Sequence, residues 1–284
     1  MKRATLIRGT ARVMGHGILL LVGVLVILSI DRGHRTYPMP ARQKAQLHSM
    51  DAGIELFNNE FGSYPPSEAN DPTGKAYCGA MKLAEALMGQ DLLGCHSKSV
   101  FRRDGLDAAG TFDLYPDGIE KLDFGLRAES LKARMGPYLP IEGSHTVRLS
   151  DVYGKGNTGP FSEDTYVLCD VFEQERPSGK KTGMPILYYR ANRLGTTHRV
   201  GDANNIYDCR DNHALLALGV PGQLGKTHPL IDPNRFYLNT QDVQATSSPQ
   251  PVRRDSHILI SAGFDGLYGT ADDVCNFEWK YRDR

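Results

Sequence analysis

The sequence predicts an α+β protein in which a long N-terminal helix, first transmembrane and then amphipathic, packs on a small antiparallel β-sheet that carries a large irregular insertion. Three observations predict this fold class. Residues 13–30 form an apolar run, residues 41–61 carry an apolar stripe at helical spacing, and short β-rich runs occupy the second half of the chain. Because the period changes from helical to extended at about residue 146, the helices are expected to precede the sheet.

The apolar run VMGHGILLLVGVLVILSI at residues 13–30 is the strongest single feature. As a helix it would span about 27 Å, close to the hydrocarbon thickness of a bilayer. The basic residues that precede it are Lys2, Arg3, Arg8 and Arg12. The positive-inside rule then makes residues 1–12 a cytoplasmic leader, residues 13–30 a transmembrane anchor and residues 31–284 an exported domain. A cleaved secretory signal fits the same features and remains an alternative.

The composition is that of a globular protein, with 40% apolar and 23% charged residues in a chain of 284. Basic and acidic residues are equal in number, and the basic excess is confined to the N-terminus, so we expect no nucleic-acid partner. Five cysteines are compatible with disulfides in an oxidising compartment, and Cys78 and Cys95 are the expected pair because they lie close in sequence. Buried free thiols are the alternative.

A helix is predicted over residues 41–61. Its apolar stripe, at steps of three and four residues, consists of Leu47, Met50, Ile54, Phe57 and Phe61. Pro38 and Pro40 precede it and are expected to kink or interrupt a helix. Gly62 and the Pro65-Pro66 pair end it.

Three strands are predicted near residues 165–172, 185–191 and 257–263, where runs rich in Val, Ile, Tyr and Phe are bounded by turn-forming residues. In the second run, Tyr188 and Tyr189 are expected to lie on opposite faces of the strand, one packed and one exposed. Residues 192–256 separate the last two strands and form the large insertion, which is rich in Asn, Asp, Pro, Gly and His.

An acidic, glycine-rich loop follows the last strand in the stretch SAGFDGLYGTADDVCNFEW at residues 261–279. Calcium prefers six to eight oxygen ligands, and a glycine-rich turn with carboxylates at both ends can supply them. The predicted ligands are the carboxylates of Asp265, Asp272 and Asp273, the carbonyl of Leu267 and the hydroxyl of Thr270. Three carboxylates so close would repel one another without a counter-ion. The alternative is a solvated turn with Asp-Gly hairpin chemistry, since the EF-hand pattern is absent.

Catalytic motifs are missing from the sequence, so no enzyme activity and no small-molecule substrate are predicted. The sequence contains neither the HExxH motif of zinc proteases nor the GxSxG motif of serine hydrolases. The stretch GQLGKTH at residues 222–228 is similar to a phosphate-binding loop, but Val220 stands where that motif requires glycine. His213 with Asp208 and Asp211 is expected to be a surface cluster.

The order of these features resembles the type II secretion major pseudopilins within the type IV pilin-like superfamily. Gly17 precedes the apolar segment, and Gly62, Tyr64 and Pro65 resemble the family's turn after its long helix. The stretches GPYLP at 136–140, DVYGK at 151–155 and SAGFDGLYGTADDV near the C-terminus resemble further family signatures. Val22 is a departure, because family members carry Glu at the fifth position after the leader glycine.

This resemblance implies a pilin-like fold and a structural subunit held by one span in the bacterial inner membrane, with the bulk of the chain in the periplasm. It implies self-association, or association with other pseudopilins, through the N-terminal helix. It also implies a C-terminal loop stabilised by Ca²⁺. The alternative is a single-pass exported module that keeps a pilin-like fold, no longer assembles and binds a ligand through its insertion.

Overall fold

The computed structural model describes residues 38–116, 118–242 and 250–281. These residues form helices and small antiparallel sheets, which confirms the α+β class. The predicted leader at 1–12 and anchor at 13–30 lie outside the described residues. Within the described ranges, no helix is both long enough and apolar enough to cross a membrane.

The described elements are short apart from the first helix. The helices are α1 (Pro38–Phe61), α2 (Gly79–Met88), α3 (Phe124–Lys132), α4 (Leu149–Tyr153), α5 (His213–Leu216) and α6 (Pro233–Asn239). The strands are β1 (Cys95–His96), β2 (Arg134–Met135), β3 (Thr146–Arg148), β4 (Tyr166–Leu168), β5 (Gln174–Glu175), β6 (Lys181–Thr182), β7 (Leu187–Arg190), β8 (His257–Ser261) and β9 (Val274–Cys275). Single 3₁₀ turns cover Ile119–Lys121, Ile141–Gly143, Cys209–Asn212 and Pro229–Ile231.

Helix α1, described from Pro38 onward, contains the predicted helix at 41–61. The expectation that Pro38 and Pro40 interrupt it is wrong within the described residues, because both lie in the helix and the proline ring holds φ near a helical value. The helix ends at Gly62, whose φ of 77° is left-handed and whose N–H donates to Asn58 O at 2.9 Å. Glycine ends helices in this way because it adopts positive φ without strain.

The apolar stripe of α1 is buried. Its fully buried members, each at most 2% exposed, are Leu47, Met50, Ile54 and Phe57. Two glutamines on the same helix bond to the chain just beyond β4: Gln43 Oε1 accepts from Val171 N at 2.9 Å, and Gln46 Nε2 donates to Cys169 O at 2.8 Å. Helix α1 from residue 43 onward is therefore held by both apolar burial and hydrogen bonds to the segment after β4.

Asp51 joins α1 to the C-terminal strands. Its Oδ1 lies 2.7 Å from His257 Nε2 in β8 and accepts from Asn276 Nδ2 at 2.8 Å. Burial alone would raise the pKa of Asp51, but the hydrogen bonds from His257 and Asn276 lower it below its usual value. The charged form of Asp51 is thus the one that fits between the helix and the sheet.

The central sheet is antiparallel and three-stranded, in the order β7-β8-β9. Strand β8 lies in the middle, pairing Ile260 with Leu187 on one side and with Cys275 on the other. Strand β4, within the predicted run 165–172, pairs with β3 instead. The end of β4 is joined to the segment just before β7 by an isolated backbone hydrogen bond, in which Ile186 N donates to Leu168 O at 2.7 Å. The three predicted strand regions are therefore linked, although only two share one ladder.

The expectation that one of Tyr188 and Tyr189 is exposed is wrong, because both are fully buried. Tyr188 donates its hydroxyl to Pro65 O at 2.8 Å, on the side of α1. The ring of Tyr189 packs against Phe236 of α6, with 4.8 Å between centroids. The second face of β7 is thus covered by a helix of the insertion, so neither tyrosine reaches solvent.

The described part of the insertion, residues 192–242 and 250–256, contributes to the core rather than forming an appendage. Asn212, fully buried, accepts from Ala80 N at the start of α2 and donates to Tyr188 O of β7. Its amide therefore satisfies a helix N-terminus and a sheet carbonyl at once.

The expected Cys78–Cys95 disulfide is not formed, and all five cysteines are free thiols. Cys78 immediately precedes α2, whereas Gly94 N bonds to Met88 O at the opposite end of that helix. A ten-residue helix is about 15 Å long, well beyond the Cα separation that a disulfide can bridge. Burial raises the pKa of the Cys78 thiol to about 11, so it behaves as a small apolar side chain.

Asp170 is a fully buried carboxyl that ties the end of β4 to the central sheet. One oxygen accepts from Met184 N at 3.0 Å and from Phe172 N at 3.2 Å, and the other accepts from Ser261 Oγ at 2.8 Å. Burial, which opposes the charged form, raises its pKa to about 7 despite these donors.

The buried stripe predicts a contrast between two neighbouring positions of α1. Replacing Ile54, which is fully buried, with Ala should lower the free energy of unfolding by about 2–5 kcal/mol because it leaves a cavity. Replacing Leu56, which is 50% exposed, with Ala should change it by only about 0.5 kcal/mol. Urea unfolding of the full chain measures both. Equal effects would mean that the stripe is not buried.

Asp170 predicts a dependence of stability on pH. Its pKa is about 7 in the folded chain and near the ordinary aspartate value of 3.8 when unfolded, so the folded state holds the extra proton between these values. The contribution of Asp170 to stability should therefore be largest below pH 4 and be lost as the pH rises through about 7. Asp170→Asn should remove this contribution to the slope in unfolding curves at several pH values. An unchanged slope would contradict the burial of this carboxyl.

Candidate functional site

The predicted calcium loop connects β8 to β9, and glycines shape its backbone. Gly263, Gly266 and Gly269 have φ values of 65°, 71° and 92°. At Gly263 an added Cβ would lie 2.3 Å from Asp272 O, so only glycine allows the two ends of the loop to approach. The close approach brings the first predicted ligand, Asp265, opposite Asp272.

Asp265 and Asp272 are joined across the mouth of the loop. Asp265 N donates to Asp272 Oδ2 at 3.0 Å. Asp265 Oδ1 accepts from Leu267 N at 2.8 Å, which is the local turn that aspartate favours. Both side chains are exposed enough to reach solvent.

Asp273 lies beneath them and is only 6% exposed. Its Oδ2 accepts from Gly269 N at 2.7 Å and its Oδ1 from Thr270 N at 3.3 Å. These backbone donors fix the carboxylate in position. Burial nevertheless raises the pKa of Asp273 well above its usual value, and the neighbouring Asp272 and Asp265 raise it further.

The hydroxyl of Thr270 lies at the centre of the predicted ligand set. It is 2.6 Å from Asp272 Oδ1, 3.2 Å from Leu267 O and 3.3 Å from Asp273 Oδ1. A hydroxyl carries one proton and can satisfy only one of these three acceptors well. The structure therefore brings the five predicted residues together, with more oxygen acceptors than donors among their side chains.

The negative charges of the loop carboxylates are unfavourable when no cation is bound. Burial raises the pKa of Asp265, and Asp272 raises it further, so the loop resists full ionisation. A divalent cation among the oxygens would reverse this effect because it favours the charged forms.

Residues far away in sequence clamp the loop, and sequence reasoning missed them. Leu230 N of the insertion donates to Tyr268 O at 3.0 Å, and Trp279 Nε1 donates to Thr270 O at 2.8 Å. The Tyr268 hydroxyl, fully buried, donates to Pro185 O. The single Trp of the chain, nine residues after Thr270, was the available signal for this contact.

The side chains of the loop are not spaced as a ready metal site. Over the described stretches of the chain, no group of three or more His, Cys, Asp or Glu is arranged to hold a metal ion. Hydrogen bonds to the Thr270 hydroxyl and to backbone amides occupy the carboxylate oxygens instead. Calcium binding by Asp265, Leu267, Thr270, Asp272 and Asp273 stays a prediction.

A second feature is a cavity of about 530 Å³ beside the turn that follows α1. Its walls come from residues 63–68, from 190–194 at the end of β7, and from 202–211 of the insertion. Asp211, which was expected in a surface cluster with Asp208 and His213, is only 7% exposed and lines this cavity. That expectation is wrong for Asp211, because Ser67 and the cavity wall cover it.

Comparison with known proteins gave no match to a family model, to a curated protein or to a solved structure.

The predicted ligand set of the loop implies that calcium should stabilise the chain. Millimolar CaCl₂ should raise the melting temperature relative to excess chelator, and a ligand at about 100 times its dissociation constant adds about 2.7 kcal/mol. Asp273→Asn should remove this difference. Asp255→Asn, at an exposed position next to Arg254, is the matched control and should keep it. A wild-type chain that melts identically with calcium and with chelator would contradict the prediction.

The same loop predicts how the calcium effect depends on pH. The pKa values of Asp265 and Asp273 are raised in the folded chain, so their contribution without calcium is favourable at low pH and is lost as pH rises through the raised values. Calcium binds the charged forms, so the calcium-dependent rise in melting temperature should grow with pH from about 4 upward. A rise that is constant with pH would place the ion elsewhere.

Proposed function

We propose that this chain is a non-enzymatic, pseudopilin-like structural subunit of a type II secretion or type IV pilus-like assembly. One observation carries the proposal: the helix that follows the apolar run buries most of its apolar stripe and is bonded to the central antiparallel sheet. Leu47, Met50 and Ile54 are buried, and Asp51 is bonded to His257 of β8. This is the construction that the resemblance implies.

In this proposal, residues 13–30 anchor the chain in the bacterial inner membrane, and the described domain lies on the periplasmic side. The mechanism is mechanical. The apolar segments of neighbouring subunits leave the bilayer and pack together as the core of a short filament, and the sheet domain faces outward. Because Val22 stands where the family carries Glu, subunit contacts in that core would rely on apolar packing.

The calcium loop has a structural role in this proposal. A cation between Asp265 and Asp273 would join the two ends of the β8–β9 connection. Since Tyr268 and Trp279 already fix the loop to the insertion and to the C-terminal segment, calcium would stiffen all three parts together.

A second candidate function is a single-pass exported module that binds a ligand and does not assemble. The specific observation that favours it is the cavity lined by Asp211, because the insertion contributes most of its wall. The two functions differ in whether copies of the chain associate through residues 13–30.

The anchoring step predicts the behaviour of the full chain in a bacterial host. The wild type should stay with membranes through an alkaline wash, and Leu20→Arg with Val24→Arg should release it. Each arginine costs about 3 kcal/mol at the centre of a span. Leu20→Ile with Val24→Leu is the matched control and should remain with the membranes. A wild type released by the wash would contradict the anchor.

The assembly step predicts oligomers. Amine-reactive cross-linking of the membrane-bound full chain should give a ladder of dimers and higher species, because apolar segments pack side by side in a filament. The control is the same chain in detergent, where the ladder should weaken as the chain is diluted. Monomers alone in the membrane would contradict the fibre subunit and favour the ligand-binding module.

A further inference from the structure

The cavity beside α1 has walls that are charged but almost fully paired. Its carboxylates belong to Glu68, Asp202, Asp208 and Asp211, and its guanidinium groups to Arg190 and Arg193. Three of the carboxylates have arginine partners: Glu68 with Arg190 at 3.1 Å, Asp202 with Arg199 at 2.8 Å and Asp208 with Arg210 at 2.6 Å. These pairs leave one carboxylate and one guanidinium unmatched.

The unmatched carboxylate is Asp211, whose side chain is more than nine-tenths buried. One oxygen accepts from Ser67 Oγ at 2.5 Å, and Ser67 Oγ itself accepts from Arg190 N at 3.0 Å. No other hydrogen bond and no ion pair reaches this carboxylate from the described residues. Lys82, a buried cation nearby, donates instead to Glu68 O at 2.8 Å and to Asn70 O at 2.9 Å.

The unmatched guanidinium is Arg193, at the exposed rim of the same cavity. It lies over the ring of Tyr64 at 5.7 Å from the centroid. Its contact with Tyr64 is through the ring face, and within the described part of the chain no carboxylate pairs with it. The stacked position limits the freedom of the side chain and leaves its N–H groups available to an anion.

We propose that this cavity binds a small zwitterion of the amino acid or short peptide class, with its ammonium on Asp211 and its carboxylate on Arg193. The volume of about 530 Å³ is within the range of small-molecule sites and admits a peptide of a few residues. A buried carboxylate with a free oxygen accepts an ammonium group, and a guanidinium fork suits a carboxylate. The proposal names the ligand of the second candidate function and does not depend on filament assembly.

Ligand binding at this cavity should be coupled to the release of a proton from Asp211. The pKa of Asp211 is raised to about 7, mainly by burial and also by Asp208 and Glu68, while the hydrogen bond from Ser67 and the charge of Lys82 oppose the rise. An ammonium group favours the charged carboxylate, so binding near neutral pH expels a proton. Affinity should therefore fall as the pH drops below 7.

Titration calorimetry of the full-length chain in detergent tests the proposal with three probes: glycylglycine, its ethyl ester and its N-acetyl derivative. Glycylglycine should bind saturably, and each blocked probe should bind about tenfold more weakly or worse. Heats measured in buffers of different ionisation enthalpy should report proton release at pH 7.

Substitutions at Asp211 and Arg193 test which end of the ligand each residue binds. Asp211→Asn should weaken glycylglycine binding about tenfold or more, and Arg193→Gln should remove the preference over the ethyl ester. Asp255→Asn is the matched control, because Asp255 is an exposed carboxylate next to Arg254 and does not line the cavity, and the affinity of this variant should stay within about twofold of the wild type. Arg193 is exposed, so its variant tests the proposal even where Asp211→Asn does not fold.

Three results would overturn the proposal. The first is no saturable binding of glycylglycine at about 10 mM. The second is equal binding of the blocked probes by the wild type. The third is undiminished binding by folded Asp211→Asn or unchanged preference in Arg193→Gln. None of these results bears on cross-linking in the membrane, so they leave the fibre-subunit proposal standing or falling separately.

Discussion

The fold depends first on the burial of one apolar stripe of α1 in the core. Complete burial of a large apolar side chain is worth about 1.5–3 kcal/mol, and α1 buries four of them. The polar contacts of the helix each contribute less, about 1 kcal/mol net. They determine register instead: Gln43 and Gln46 can bond to Val171 and Cys169 in only one position of the helix along the strand.

Strand β8 connects the core to the candidate calcium loop. Ser261, the last residue of β8, donates to Asp170 and accepts from Gly263 N at 3.2 Å. Gly263 is the residue at which the loop closes on Asp272. Through Ser261, a buried carboxyl at the end of β4 therefore orients the first turn of the loop. The candidate cation site and the core are parts of one hydrogen-bonded arrangement.

Local patterns in the sequence predicted the elements whose cause is local. The spacing of Leu47 and Ile54 predicted a buried helix face, and the glycines and aspartates after β8 predicted a turn that gathers carboxylates. The environment of Tyr189 and Asp211 could not be predicted in this way. Their burial depends on Phe236 and Ser67, which are distant in sequence and are brought near only by tertiary packing.

The clamp on the loop shows the same limit. Thr270 and Asp273 could be proposed as ligands from their spacing, but the donors that hold the carbonyls of the loop, Leu230 N and Trp279 Nε1, are brought to it only by the fold. The expected disulfide failed for a related reason, because proximity of Cys78 and Cys95 in sequence ignored the helix between them. Sequence periodicity thus determines faces and turns, whereas the partners of those faces follow from the fold.

Amide hydrogen exchange of the full chain tests the central claim most directly. If burial of the α1 stripe holds the fold together, the amides of residues 47–57 should exchange only with global unfolding, at the same free energy as those of β8. Addition of denaturant should lower the free energies of exchange of both segments in parallel. Exchange of the α1 amides at the rate of an unprotected peptide, while β8 stays protected, would contradict the account.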